Sequence, residues 1–112
     1  MAFERRVVNE KTGGEKGQKL ARFDLIPPDA EWALAEHYGR NIGKYAERNW
    51  ERGTNYSLNY AAAKRHLTQF WMGEEDDEDG CSHLMAVAWH AFALYTFLTT
   101  HPELDDRPGC GQ

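Results

Sequence analysis

At 112 residues and 12.9 kDa the chain reads as one domain with one core. A hydrophobic content of 41%, an aromatic content of 12% and four Trp exclude intrinsic disorder despite 28% charged residues. The net charge of -5 excludes a general duplex-DNA binder, which needs a dominant basic face, and leaves room for a small anion held by a few local cations. No stretch approaches the roughly 18 uninterrupted apolar residues of a membrane span, and MAFERRVVNE lacks the apolar core of a signal peptide. A cytoplasmic protein without membrane contact is therefore expected. Cys81 and Cys110 are too few for a disulfide framework, so reduced thiols are the default.

In chain order, residues 1–12 form a flexible lead-in whose Phe3 to Val8 stretch is either an added strand or a frayed end. Gly13 to Lys19 is glycine-rich and charged, which predicts a mobile loop; Arg22 to Ile26 follows as an extended approach. Pro27-Pro28 starts a helix running to about Tyr38, with Ala30, Ala33, Leu34 and Tyr38 on one face and Gly39 as its stop. A short helical turn from Asn41 to Ala46 comes next, and residues 49–53 close a turn. The second helix is predicted over Ser57 to Met72, with Ser57 as cap and Gly73 as terminal glycine. The third, capped by Ser82 and reaching about Thr100, is apolar around nearly its whole circumference, which requires burial on several sides and implies self-association. Residues 101–112, with two Pro and two Gly among charges, read as a disordered tail. The predicted architecture is all-α: a small bundle of three main helices and a short one over residues 13–100, completed by a homo-oligomer.

Between the second and third helices, Glu74 to Asp79 is a run of six carboxylates. Glu74 and Asp77 are three apart, as are Glu75 and Glu78; one further helical turn would put each pair on one face, Cβ atoms about 5 to 6 Å apart. Two carboxylates so placed suit a hard cation such as magnesium, and the competing reading is a solvated, self-repelling loop. A calcium loop fails, because aligning Gly80 with the obligatory glycine puts Ala86 where the bidentate Glu belongs. His83 and His90 are seven apart, about 10.5 Å along a helix axis, and cannot share one ion. His83 beside the acidic run is a candidate for metal or phosphate contact; His90 reads as a core hydrogen bonder. Arg65, next to His66, is either a phosphate fork or a partner of the acidic loop. Lys44-Tyr45 and Asn49-Trp50 put a cation near large rings, as purine stacking with phosphate binding requires, although such rings are also ordinary core. Lys16 and Lys19 form no Walker pattern, and no Ser-His-Asp arrangement can be argued. Acid for metal and base for phosphate together point to a nucleotide.

The run Gly-x-Lys-x-x-Arg-x-Asp-Leu-Ile-Pro-Pro, then His37-Tyr38-Gly39, Gly43-Lys44-Tyr45, Asn49-Trp50, Arg65-His66-Leu67, Gly73-Glu74, Asp77, Gly80 and His83-Leu84, resembles the phage domain called the dATP/dGTP diphosphohydrolase N-terminal domain. The resemblance covers about residues 13 to 98. It implies a MazG-type, all-α nucleoside triphosphate pyrophosphohydrolase that uses Mg2+ (or Mn2+) to split a purine nucleotide into monophosphate and pyrophosphate, in a host cytosol if phage-encoded. Carried over, Glu74 and Asp77 would be catalytic metal holders, Lys16, Arg22, Lys44 and Arg65 would hold phosphate, and Trp50 would line the base pocket. Tyr45, Asn49, His66 and His83 complete the expected substrate set, and Glu78 and Glu47 the metal set.

One departure bears on catalysis. The MazG-type early-helix Glu-x-x-Glu pair is replaced here by Glu31 and Glu36, about 140° off a shared face. Either Glu47 supplies the missing ligand or catalysis is absent. The alternative to a metal-dependent hydrolase is thus a non-catalytic phage protein that sequesters a nucleotide immune signal. A helical module binding a protein partner through the third helix is a further reading.

Overall fold

The computed structural model describes residues 4–40 and 46–109. These divide into two compact units, one up to Glu31 and one from Trp32 onward. The short helix expected over Asn41 to Ala46 lies almost wholly outside the described residues, as do Lys44, Tyr45 and Cys110. No described helix is long and apolar enough to cross a membrane.

The amino-terminal unit corrects the all-α expectation. Strand β1 (Glu4–Val8) pairs antiparallel with β2 (Glu15–Lys19), with Glu4 opposite Lys19 and Val8 opposite Glu15. The expected lead-in thus carries strand β1, and the expected mobile loop is largely its partner. Local chemistry closes the hairpin: Asn9 Oδ1 accepts from the Lys11 and Thr12 backbone N–H groups, and Gly13 sits in the left-handed region. Lys19 and Glu4 form an ion pair across the ladder. A 3-10 turn (Phe23–Leu25) leads to helix α1 (Pro28–Arg40), which runs two residues past its expected end and holds Gly39 inside.

In the second unit a 3-10 turn (Asn49–Arg52) precedes helix α2 (Tyr56–Trp71); α3 (His83–Thr100) then returns antiparallel along α2. The core is small: Tyr56, Ala93 and Phe97 are buried, with Trp50, Trp89, Leu94 and Leu104 packed against them. The Tyr56 hydroxyl donates to the carbonyls of Phe97, 2.9 Å away, and His101, 3.2 Å away, tying the start of α2 to the end of α3.

Both ends of the α2–α3 connection stop for local reasons. Gly73 takes φ +105°, and the Glu74 N–H reaches Gln69 O while the Gly73 N–H reaches Phe70 O, a paired C-terminal closure. That closure ends α2 before the acidic run, so Glu74/Asp77 and Glu75/Glu78 do not share a helical face. Residues 76–82 instead form a tight turn, with an isolated bridge between Asp76 and Ser82 and the Asp77 N–H donating to Cys81 O. Ser82 caps α3 as expected, accepting from the Met85 N–H.

Ser57 does not cap α2. Asn55 holds the cap position without a side-chain bond, and Asp106 accepts from both the Ser57 N–H and the Ser57 hydroxyl. The described part of the tail is therefore folded back rather than disordered: a 3-10 turn (Pro102–Leu104) sets it against α3, and Arg107 pairs with Asp105.

Candidate functional site

A cleft of ≈ 1440 Å³ opens in the second unit, lined from α1, the Asn49–Arg52 turn, α2, the acidic turn and α3. Its wall carries Tyr38, Trp50 and Trp89; Tyr38 meets Trp50 edge-on at 6.3 Å and Trp89 at 6.2 Å between ring centres. The indole N–H of Trp89 is buried with no hydrogen-bond partner among the described residues. A buried donor left unpaired is costly.

Four guanidinium groups line the same cleft: Arg40, Arg48, Arg52 and Arg65. Arg48 is paired with Glu51, and Arg40 lies 3.5 Å from Gly80 O and Cys81 Sγ. The same lining carries Glu47, Asp77, Glu78 and Asp79. Asp77 Oδ1 accepts from the backbone N–H groups of Cys81 and Asp79, each at 2.9 Å. The Cys81 N–H first, then the Asp79 N–H and the nearby His83 and His66 rings, hold its carboxyl below the usual range.

Three histidines face the cleft. Burial pushes the His37, His66 and His90 imidazoles down, and His90 falls to about 4. His90 Nδ1 lies 2.9 Å from Asn59 Oδ1, so it donates and leaves Nε2 as the acceptor. The His66 and His90 rings stack at 6.2 Å, and His66 Nδ1 is 2.9 Å from Nδ1 of His83.

Of the residues expected from sequence, Glu47, Asn49, Trp50, Arg65, His66, Asp77 and Glu78 come together around this cleft. Glu74 and His83 face each other beside it, with His83 almost fully buried. Lys16 and Arg22 belong to the amino-terminal unit; Lys16 is exposed on β2 opposite Val7, and Arg22 is clamped at two points by Asp24. Sequence reasoning passed over Tyr38, Arg40, Arg52, Asn59 and Trp89. Tyr38 stands within a motif piece already singled out, but Trp89 on an all-apolar helix carries no mark to set it apart from core.

A family model described as dATP/dGTP diphosphohydrolase, N-terminal, matches residues 10–107. No curated protein and no solved structure matches the chain. The matched segment contains every residue of the cleft and most of the chain, and on that ground the chain belongs to the dATP/dGTP diphosphohydrolase N-terminal domain family.

Proposed function

We propose that the cleft binds a purine deoxynucleoside triphosphate and hydrolyses it to the monophosphate and pyrophosphate. The observation that carries this reading is the meeting, in one cleft of the matched segment, of an aromatic wall and four guanidinium groups. Trp50 and Trp89 suit the flat face of a base. Guanidinium forks suit phosphate oxygens and stabilise charge that spreads over them as the anhydride breaks.

Among the described residues no group of three or more His, Cys, Asp or Glu is placed to hold a metal ion. Asp77 already spends one oxygen on two N–H groups, and Glu74 faces His83. These residues do not form a preformed metal cage, so turnover is to be compared with and without Mg2+ or Mn2+. Purified protein mixed with dGTP or dATP, with and without Mg2+, is expected to release pyrophosphate. Arg65→Ala is expected to lower kcat/KM by about 10-fold to 100-fold, as loss of a charged transition-state contact does. No turnover of any common triphosphate under either condition would sink this reading.

The missing cage favours one alternative: the same cleft holds a nucleotide without cleaving it. Calorimetry showing tight, metal-independent binding of a nucleotide recovered intact would select that reading.

A second copy of the chain is expected to complete the fold. Few side chains are buried among the described residues, and α3 leaves Phe92 56%, Tyr95 79% and Leu98 50% exposed. Apolar area of this kind on the outer side of a two-helix pair suits burial against a copy of itself.

A further inference from the structure

His83 is 1% exposed, and its Nε2 has no hydrogen-bond partner among the described residues. It faces Glu74 Oε2, 3.5 Å away. On its other side, His83 Nδ1 lies 2.9 Å from His66 Nδ1, and two ring nitrogens at that distance share one proton. The two ends of the chain decide which nitrogen carries it. Arg65 Nη2 lies 3.4 Å from His66 Nε2, and a guanidinium can only donate, so that nitrogen presents its lone pair. Neutral His66 therefore carries its proton on Nδ1 and donates it to His83. His83 in turn carries its own proton on Nε2, aimed at the carboxylate of Glu74.

We propose that His66 is the general base of the hydrolysis, with the buried His83 and Glu74 as positioning residues that fix its tautomer and hold its Nε2 lone pair towards the cleft. This rests on the hydrolase reading above. His66 and Arg65 line the cleft, whereas His83 does not, as a base and its buried support should be arranged. When Arg65 turns to a bound phosphate, His66 Nε2 is released for water. The water oxygen bonds to the α-phosphorus, the bond to the pyrophosphate oxygen breaks with its electron pair on pyrophosphate, and the water proton passes to Nε2 and then to solvent. Around His66 stand Arg65 on α2, Asp77 in the turn, His37 on α1, and His83 and His90 on α3. Burial, Arg65 and His83 favour the neutral ring; Asp77 opposes them.

The test combines pH–rate profiles of dGTP hydrolysis with 15N NMR of the histidine rings in the nucleotide-free wild type. His66→Gln is expected to lose about 10²-fold or more in kcat, with KM little changed and the acid limb of the profile gone. Glu74→Gln removes a negative charge behind the relay, so the acid limb should move to lower pH; a purely structural role would lower the rate without moving it. In the wild type, NMR should show His66 protonated on Nδ1 and bare on Nε2, a result independent of whether any variant folds. A proton on His66 Nε2, or His66→Gln turning over within about twofold of wild type, would overturn the assignment while leaving the hydrolase reading intact. A wild type that cleaves no triphosphate would instead overturn the hydrolase reading and the base with it.

Discussion

Gly53 follows the Asn49–Arg52 turn at φ +89°, a region that only glycine enters freely, and a Cβ there would lie 2.7 Å from Leu104 Cδ1 and 2.8 Å from His101 Cδ2. Gly53→Ala adds backbone strain to that clash and is expected to cost roughly 1–3 kcal/mol in a urea titration. His90 carries a stability term with a definite sign. The unfolded chain takes up its proton near the ordinary value of about 6.5, while the folded ring resists until about 4. Its contribution is therefore whole above the upper value and is lost as pH falls towards the lower one. His90→Gln should flatten the fall in melting temperature across that window. Asp106 behaves as a depressed carboxylate: the Ser57 hydroxyl first, then its N–H, favour the charged form. Its support of α2 is present above the ordinary carboxylate range and lost as pH falls below it, so Asp106→Asn should melt lower than wild type near neutrality and converge with it in acid. At this scale the chain was readable where chemistry is local, as at Gly73 and Ser82. It was not readable at Ser57, whose partner lies 49 positions away.

Helices α2 and α3 hold each other through one thin seam, and Phe97, 2% exposed, fills most of it. Truncation to Ala should cost about 3–5 kcal/mol, as for other buried aromatics. In so small a core, circular dichroism should show loss of cooperative melting. Helix positions were legible from period, and the helix ends at Gly73 and Ser82 from local signals. The β1–β2 hairpin was not, because its residues are mostly exposed and give no alternation of apolar and polar; cross-strand charge pairs and the Asn9 turn hold it instead. The acidic run misled for a related reason: spacing assumes that a helix continues, and Gly73 ends it.

Across the molecule, the candidate site gathers residues from His37 to Phe97, and only part of it was visible beforehand. Trp50, Arg65 and Asp77 stood out by type. The joining of His66 to His83, 17 positions apart on two helices, is a tertiary event with no periodic trace. The exposed Phe92, Tyr95 and Leu98 lead to an expected dimer or larger species by light scattering, reduced to monomer by Tyr95→Glu; a wild-type monomer would contradict that. The central claim is that the cleft beneath Trp50 and Trp89 receives a nucleotide polyphosphate. Titrating isotope-labelled protein with a non-hydrolysable dGTP analogue tests it most directly. The expected result is saturable shifts in the indole signals of Trp50 and Trp89 and the guanidinium signal of Arg65, with Trp71, on the open surface, unmoved. Shifts confined to Trp71 or Trp32, or none at all, would contradict it.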